Sequence, residues 1–162
     1  MHQYGDDLKA EAMLMHLGLA EKAQRAHVRN KDDLLLVFTH LQGWMYLSGY
    51  LHRDFFAVRL LLKEAVRNAL RDGDDVADKY VELTYIVTSK GVVIDVEEHG
   101  SGVHSVGLPA QLATENLGRF CAGGVSLMRM YATWLYFDKA ANRLTLCRRR
   151  SEPPRRCREG TF

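Results

Sequence analysis

Residues 60–75 read LLLKEAVRNALRDGDD, and this stretch decides the fold because it combines an apolar helical stripe with two polar residues on one side. The apolar residues recur at helical spacing as far as Ala69, and Gly73 is typical of a left-handed helix stop. Glu64 and Asn68 are four residues apart, so they lie on one helical face, one turn above the other. The stretch predicts an amphipathic helix that carries a carboxylate and a carboxamide together.

Two more helices are predicted upstream of this one. The first covers residues 6–27, where apolar residues form one stripe and charged residues lie opposite. The second covers residues 34–51, with Asp32 or Asp33 as its N-cap. Asp54 is the predicted N-cap of the helix quoted above, because the helical apolar spacing begins directly after it. The N-terminal part of the chain is therefore expected to be helical.

Strands follow in two groups. The runs YVELTYIV (80–87) and GVVIDVEE (91–98) alternate and are rich in β-branched residues, and the segment 135–150 turns near Asn142. Both groups predict antiparallel hairpins, separated by a glycine-rich span (99–124) and a helical segment (125–135). Helices segregated from strands predict an α+β fold, a two-layer sandwich with helices on one face of a mostly antiparallel mixed sheet.

The composition favours a single globular domain in the cytoplasm. The chain has 162 residues and a net charge of +2, which is too small to indicate nucleic-acid binding by itself. Three cysteines without close pairing argue against a disulfide framework or a structural zinc site. No apolar run approaches the ~20 residues of a membrane span. The arginine-rich residues 151–162 are predicted to be disordered, and nucleic-acid binding through them is the weakest functional hypothesis.

Four short motifs occur in order along the chain. They read EAVRNAL (64–70), EHGSGV (98–103), AGGVSLMRM (122–130) and NRLTLCRR (142–149). In these motifs the chain resembles the ATP-binding domain of the GHKL superfamily, and most closely the small anti-sigma factor serine kinases. The resemblance covers residues 28–150, which leaves 1–27 as an N-terminal helical extension and 151–162 as a tail.

The resemblance implies a Bergerat-type fold that binds ATP and Mg²⁺. Asn68 is then the Mg²⁺ ligand, since one amide oxygen together with phosphates suffices for this ion. Glu64 is the catalytic base or orienting carboxylate for phosphoryl transfer to a hydroxyl. Glu98 accepts a hydrogen bond from the adenine amino group, and Thr145 supports that contact. The residues expected to bind ATP are Asn68, Glu98, Gly100, Gly102, Arg119, Gly123, Gly124 and Thr145.

The function implied by the resemblance is that of an ATP-dependent serine protein kinase. Such a protein phosphorylates a small anti-anti-sigma antagonist, holds a sigma factor inactive and forms a homodimer. The chain departs from the family pattern at three positions, where Glu98 replaces an aspartate, Val103 a phenylalanine and Ala122 a glycine. The alternative is therefore a catalytically degenerate module of the same fold that acts by protein–protein interaction.

Overall fold

The computed structural model describes residues 3–18, 20–71, 78–99, 124–138 and 142–153. The elements are, in chain order, α1 (Gln3–His16), β1 (Gln24–Val28), α2 (Lys31–Leu47), α3 (His52–Arg71), β2 (Tyr80–Val87), β3 (Gly91–His99), α4 (Gly124–Tyr131), β4 (Trp134–Asp138) and β5 (Arg143–Arg149). The strands form one sheet in the order β1-β2-β3-β5-β4, and each neighbouring pair is antiparallel. The predicted α+β class is confirmed, with a sheet that is antiparallel throughout its described pairings rather than mixed.

The two hairpins follow the predicted pattern. Strands β2 and β3 pair from Tyr80↔His99 to Val87↔Val92, within one residue of the predicted bounds. In the second hairpin, β4 pairs with β5, and Asn142 adopts a left-handed φ of 47° just before β5 begins. An asparagine tolerates this conformation better than most residues, which confirms the predicted turn. Helix α4 is shorter than the segment 125–135, since Trp134 already belongs to β4.

The main core lies between one face of the sheet and helices α2, α3 and α4. Because side chains alternate along a strand, every second residue of β2, β3 and β5 points to these helices. The largest fully buried residues of this core are Val28, Leu41, Met45, Leu61, Leu62, Val81, Leu83, Ile94, Met128, Leu144 and Leu146. The predicted two-layer sandwich is confirmed by this packing.

Helix α1 covers the other face of the sheet. Leu8, Ala12 and Met15 are buried there against a smaller apolar cluster made by Ile86, Val93 and Cys147. Burial raises the pKa of the Cys147 thiol to about 12, so this cysteine is an unreactive core residue. The helices therefore do not all lie on one face, because α1 packs opposite the other three.

The first helix is shorter than predicted. It ends at His16, with Gly18 in a left-handed conformation (φ 69°), and residues 24–28 form the edge strand β1. Only Ala26 and Val28 of this strand face the main core, so its sequence lacks a strong alternating signal. The sheet therefore begins inside the segment that was assigned to the N-terminal extension.

Both predicted helix caps are wrong. Asn30, not Asp32 or Asp33, caps α2, and its side-chain Oδ1 accepts hydrogen bonds from the amides of both aspartates at 2.9 Å. Helix α3 begins at His52, so Asp54 lies in its first turn. The Asp54 carboxylate instead binds the segment that follows β5.

Asp54 ties the chain after β5 to the start of α3. Its Oδ2 accepts a hydrogen bond from the Ser151 amide at 2.8 Å, and Oδ1 accepts from the Ser151 hydroxyl at 2.7 Å and from Arg148 Nη2 at 3.0 Å. Arg53 Nη2 also donates to the Glu152 carbonyl at 2.6 Å. The chain from Ser151 to Pro153 thus has a defined path, and residues 154–162, the rest of the predicted tail, lie outside the described residues.

Candidate functional site

Helix α3 carries the predicted catalytic and metal-binding residues, and it packs in the middle of the main core. Its inner face consists of the buried residues Val58, Leu61, Leu62, Ala65 and Ala69. Glu64 and Asn68 lie at one edge of this apolar stripe, where Glu64 is buried and Asn68 is half-buried. The spacing argument therefore correctly predicted that a helix presents the two residues on one side.

Glu64 is a buried carboxylate with a cationic partner. Its side chain is 8% exposed and Oε2 accepts a hydrogen bond from Arg67 Nη2 at 2.5 Å, whereas the Arg67 side chain is 51% exposed. Because an unpaired buried carboxylate costs several kcal/mol, Arg67 compensates for the burial of Glu64. A role of Glu64 as a base requires that Arg67 moves aside or leaves the second carboxylate oxygen available.

A small pocket opens between α3 and one end of the sheet. It is lined by Ala65, Ala69, Val96, Glu98, Phe137, Asn142 and Leu144. Ala65 and Ala69 directly follow Glu64 and Asn68 in the sequence of α3, but neither Glu64 nor Asn68 is among these lining residues. Apolar walls with a few polar groups are typical of small-molecule sites.

The pocket is narrow in this conformation. It spans about 280 Å³ when its open mouth is counted, but its enclosed part has room for about one water molecule. The two alanines on α3 leave a gap that larger side chains would fill, while Phe137 and Asn142 line the opposite side. A planar base enters only if side chains at the rim change rotamer.

Glu98 lines this pocket and forms a buried ion pair. Its Oε1 lies 2.6 Å from Lys79 Nζ, and the two side chains are 7% and 12% exposed. A carboxylate has about four lone-pair sites, so Glu98 retains acceptor capacity beside the lysine. The structure thus places Glu98 in the pocket, with Lys79 as a partner that the sequence reasoning missed, whereas Glu64 and Asn68 are not among the described residues that line it.

Thr145 is not brought to this pocket. It pairs with Asp95 across strands β3 and β5, and its Oγ1 donates a hydrogen bond to Asp95 Oδ1 at 2.5 Å. Val96 and Glu98 face α3, so by alternation the odd-numbered Asp95 and its partner Thr145 face α1. The expectation that Thr145 supports Glu98 is therefore wrong, because the sheet lies between the two side chains.

Thr145 instead belongs to a polar cluster beneath α1. His16 Nε2 lies 3.1 Å from Thr145 Oγ1 and 3.0 Å from Asp95 Oδ2. In a catalytic triad the histidine uses one nitrogen toward the nucleophile and the other toward the carboxylate. Here one nitrogen contacts both groups, so the cluster has the geometry of a structural contact that fastens α1 to the sheet.

Four of the residues predicted to bind ATP, Gly100, Gly102, Arg119 and Gly123, lie outside the described residues. Gly124 is the first residue of α4, which packs on α3 and buries Met128. Its position agrees with the expectation that a helix begins at this glycine pair.

The described residues of this site offer hard oxygen donors as metal ligands. Among the described residues, no group of three or more His, Cys, Asp or Glu side chains could hold a metal ion. The Asn68 amide oxygen and the Glu64 carboxylate suit Mg²⁺, which retains several waters and needs one or two protein ligands beside phosphate oxygens. The donor set therefore fits a Mg²⁺–nucleotide, while the pocket fits the base only after its rim opens.

The sequence does contain signals for the two features that were missed, which are the partner of Glu98 and the side of the sheet on which Thr145 lies. The register of the β2–β3 hairpin pairs Tyr80 with His99, which places Lys79 at the open end of the hairpin near Glu98. Because side chains alternate along β5, Leu144 and Leu146 point to one face of the sheet and Thr145 points to the other. Both facts follow from a period of two once the strand bounds are known.

Comparison with known proteins adds no relative. No protein-family model matches the chain, and no curated protein is significantly similar to it. Within the described ranges, no helix is both long and apolar enough to cross a membrane.

Proposed function

We propose that the protein is a cytoplasmic, ATP-binding serine protein kinase of the anti-sigma factor regulator type. The observation that carries the proposal is the position of one pocket, which is lined by Glu98 and by the alanines that follow Glu64 and Asn68. Glu98 supplies an acceptor in this apolar pocket, and Glu64 and Asn68, on the same helix as its alanines, supply the carboxylate and the amide oxygen that a Mg²⁺–nucleotide requires. The resemblance supplies the reaction type and the protein partners.

Each residue has a distinct role in this proposal. Asn68 would hold Mg²⁺ through its amide oxygen, and Glu98 would accept a hydrogen bond from the adenine amino group. Bound ATP with Mg²⁺ supplies the phosphoryl group and the positive charge that stabilises its transfer. Glu64 would take the proton from the serine hydroxyl of the protein substrate, after Arg67 has moved off the carboxylate.

The proposed partners come from the resemblance alone. They are a small anti-anti-sigma antagonist as phosphoryl acceptor, a sigma factor as the protein held inactive, and a second copy of the chain in a homodimer.

A second candidate function is a catalytically degenerate interaction module of the same fold. It is favoured by the ion pairs of Glu64 with Arg67 and of Glu98 with Lys79, because both carboxylates required for activity already have partners. The limited room in the pocket supports the same candidate.

Calorimetric titration with Mg·ATP distinguishes the two candidates. The kinase proposal expects binding in the micromolar to millimolar range, roughly −8 to −4 kcal/mol, and thermal stabilisation by ATP. Asn68→Ala should remove most of the Mg²⁺-dependent part of the affinity. Gln24→Ala, which removes an exposed carboxamide on the edge strand β1, is the matched control and should bind as the wild type does. No heat and no stabilisation at millimolar ATP would leave the interaction module as the better candidate.

A further inference from the structure

The outward face of α2 is apolar along most of its length. Leu35, Leu36, Tyr46 and Leu47 are 59%, 70%, 78% and 76% exposed, whereas Val37, Phe38, Leu41 and Met45 on the opposite side are buried. A helix at the surface of a globular protein normally has one apolar stripe and a charged face opposite. We call the exposed side the outer face of α2 and define it by Leu35, Leu36, Thr39, Gly43, Tyr46 and Leu47.

The part of this face between Leu34 and Leu47 carries no charged side chain, and the exposed Asp32 lies one turn before it. The sequence from Leu34 to Leu47, LLLVFTHLQGWMYL, contains no Asp, Glu, Lys or Arg. Large exposed apolar patches on soluble proteins usually mark interaction sites. In a two-fold dimer each surface patch meets its own copy, so an uncharged patch associates with itself without repulsion between like charges.

Gly43 has no evident reason to be glycine among the residues that the structure describes. It lies inside α2, it is absent from the residues with positive φ, and a Cβ atom built on it would meet nothing within 4 Å. Glycine in a helix interior is unfavourable relative to alanine. A glycine at the centre of an exposed apolar face leaves the backbone open to close approach by another surface.

The sizes of the side chains are symmetric about the middle of the outer face. Large residues occupy both ends, Leu35 and Leu36 at one and Tyr46 and Leu47 at the other, while Thr39 and Gly43 lie between them. A two-fold axis perpendicular to α2 makes the α2 helices of two copies run in opposite directions. The small residues of both copies then lie where the two helices cross, and the large residues of one copy meet those of the other on either side of the crossing. In this arrangement Leu36 of one copy lies near Leu47 of the other.

The area also suits a dimer. The exposed parts of the three leucines and of Tyr46 amount to on the order of 500 Å² in each copy. Two copies would bury at most about 1,000 Å² of this surface, which is the lower limit for a specific interface and is typical of weak, reversible association.

We propose that the outer face of α2 is a self-association interface, in which two copies of the chain pack α2 against α2 in antiparallel orientation. The proposal rests on exposure, charge and the position of Gly43, and it does not depend on nucleotide binding. It goes beyond the expectation of a homodimer because it assigns the face and the orientation.

Sedimentation velocity of the wild-type chain between about 1 and 100 µM is the first test. The proposal expects the weight-average mass to rise from monomer to dimer within a concentration range typical of specific interfaces. Leu36→Glu and Leu47→Lys, each of which puts a charge into the apolar contact, should raise the dimer dissociation constant at least about tenfold. Met130→Glu changes a residue of α4 that is 73% exposed and should leave the dissociation constant unchanged.

A mixing experiment tests the orientation. In an antiparallel pair, Glu at position 36 of one copy faces Lys at position 47 of the other, while the second contact remains leucine against leucine. An equimolar mixture of Leu36→Glu and Leu47→Lys should therefore form heterodimers more strongly than either variant forms homodimers. Absence of this recovery would overturn the antiparallel arrangement.

Gly43→Gln separates association from folding. Because the space beside Gly43 is empty within the chain and glutamine favours helix, the variant should melt at a higher temperature at low concentration. The same side chain blocks close approach of the helices, so dimerisation should weaken at least about tenfold.

The proposal is overturned if the wild type stays monomeric at 100 µM, or if Met130→Glu weakens the dimer as much as the substitutions on α2. A monomeric wild type would instead favour a different protein as the occupant of this face.

Discussion

Lys79 and Glu98 form a buried ion pair at the open end of the β2–β3 hairpin, with Nζ and Oε1 2.6 Å apart. This contact fixes the orientation of Glu98, the one carboxylate among the described residues that line the pocket. It also leaves Glu98 with acceptor capacity on the side away from the lysine. The pair is therefore both a stabilising feature of the hairpin and a determinant of what the pocket can bind.

The first prediction concerns the stability of this pair. Lys79→Met keeps the aliphatic length but leaves Glu98 without its cation, so the free energy of unfolding should fall by about 3–5 kcal/mol. Combining it with Glu98→Gln should recover part of this loss, since no uncompensated charge then remains. Urea denaturation measures the free energy of unfolding of both variants.

Asp7→Asn, which breaks an exposed pair with Lys90, is the control and should cost at most about 1 kcal/mol. Similar small losses in Lys79→Met and Asp7→Asn would contradict the role given to the buried pair.

The second prediction concerns Asp54, which holds Ser151 and Arg148. Burial alone would raise the pKa of this carboxyl, but the hydrogen bonds from Ser151 and Arg148 outweigh it and hold the pKa below its usual value. The carboxylate therefore adds stability above its unfolded pKa of about 3.9, and this stability is lost as the pH falls through the lower folded pKa.

Asp54→Asn should accordingly cost about 2–4 kcal/mol at neutral pH, and the difference from wild type should shrink below about pH 4. Urea denaturation from pH 3 to pH 7 measures this dependence. Asp32→Asn, in the first turn of α2, should cost about 0.3–1 kcal/mol at neutral pH. A cost of Asp54→Asn that does not change with pH would show that the charge of the carboxylate is not what holds the segment after β5.

The third prediction concerns the contact of α1 with the sheet. A Cβ atom on Gly91 would lie 2.7 Å from the Arg148 carbonyl oxygen and 2.8 Å from Leu8 Cδ1. Because the carbonyl belongs to the paired strand β5, the backbone must shift, and Gly91→Ala should cost about 1–3 kcal/mol. Hydrogen exchange should be faster in α1 as Leu8 is pushed away. Gly43→Ala is the matched control and should stabilise the monomer by about 0.5–1 kcal/mol, since nothing surrounds its Cβ position. Equal stability of the two variants would argue against the tight packing of Leu8 on Gly91.

The elements that the sequence predicted well are those with a strong local period. The β2–β3 hairpin shows a clear period of two and was predicted to within one residue, and the helical stripe of α3 predicted that helix with a start three residues late, at Phe55 instead of His52. Strand β1 could not be predicted in this way, because three of its five residues are exposed and polar, Gln24, Arg25 and His27. It becomes a strand because β2 offers an unpaired edge, which is a tertiary effect.

The positions of some site residues likewise follow from the local sequence, whereas the positions of others depend on tertiary packing. The spacing of Glu64 and Asn68 is local, so their common side on α3 was predictable. The side of the sheet on which Thr145 lies depends on strand alternation, and the position of α1 depends on Leu8 and Met15 meeting Val93 and Cys147 across the chain. No local pattern distinguishes an N-terminal helix that covers the second face from one that extends the first layer.

The fourth prediction concerns Glu64. Glu64→Gln keeps the shape of the side chain but removes its basicity, so Mg·ATP binding should survive while phosphoryl transfer falls by about 10²–10⁴-fold. Arg67→Gln is the companion variant, since it retains the carboxylate and should keep transfer within about tenfold of wild type. A serine-containing antagonist protein is the acceptor in a single-turnover assay. Unchanged transfer in Glu64→Gln would remove this residue from the mechanism.

The last prediction tests whether Glu98 recognises adenine. Glu98→Ala should weaken ATP by about 1.5–3 kcal/mol, the usual loss for a hydrogen bond to a charged group. Because guanine presents a carbonyl where adenine presents an amino donor, the loss for GTP should be smaller. Removal of Glu98 also leaves Lys79 unpaired, and a collapse of the pocket would weaken both nucleotides equally. The ratio of ATP to GTP affinity therefore separates recognition from stability.

The matched comparison for this ratio is Glu98→Asp, which restores the residue of the family motif. It keeps the carboxylate and should retain a preference for ATP at least equal to that of wild type. Isothermal titration of both nucleotides at fixed Mg²⁺ and salt gives the ratio for wild type, Asp and Ala forms. A ratio that is the same in all three forms would show that Glu98 serves only as the partner of Lys79. The pocket beside α3 would then retain its apolar lining, but Glu98 would not recognise the adenine base.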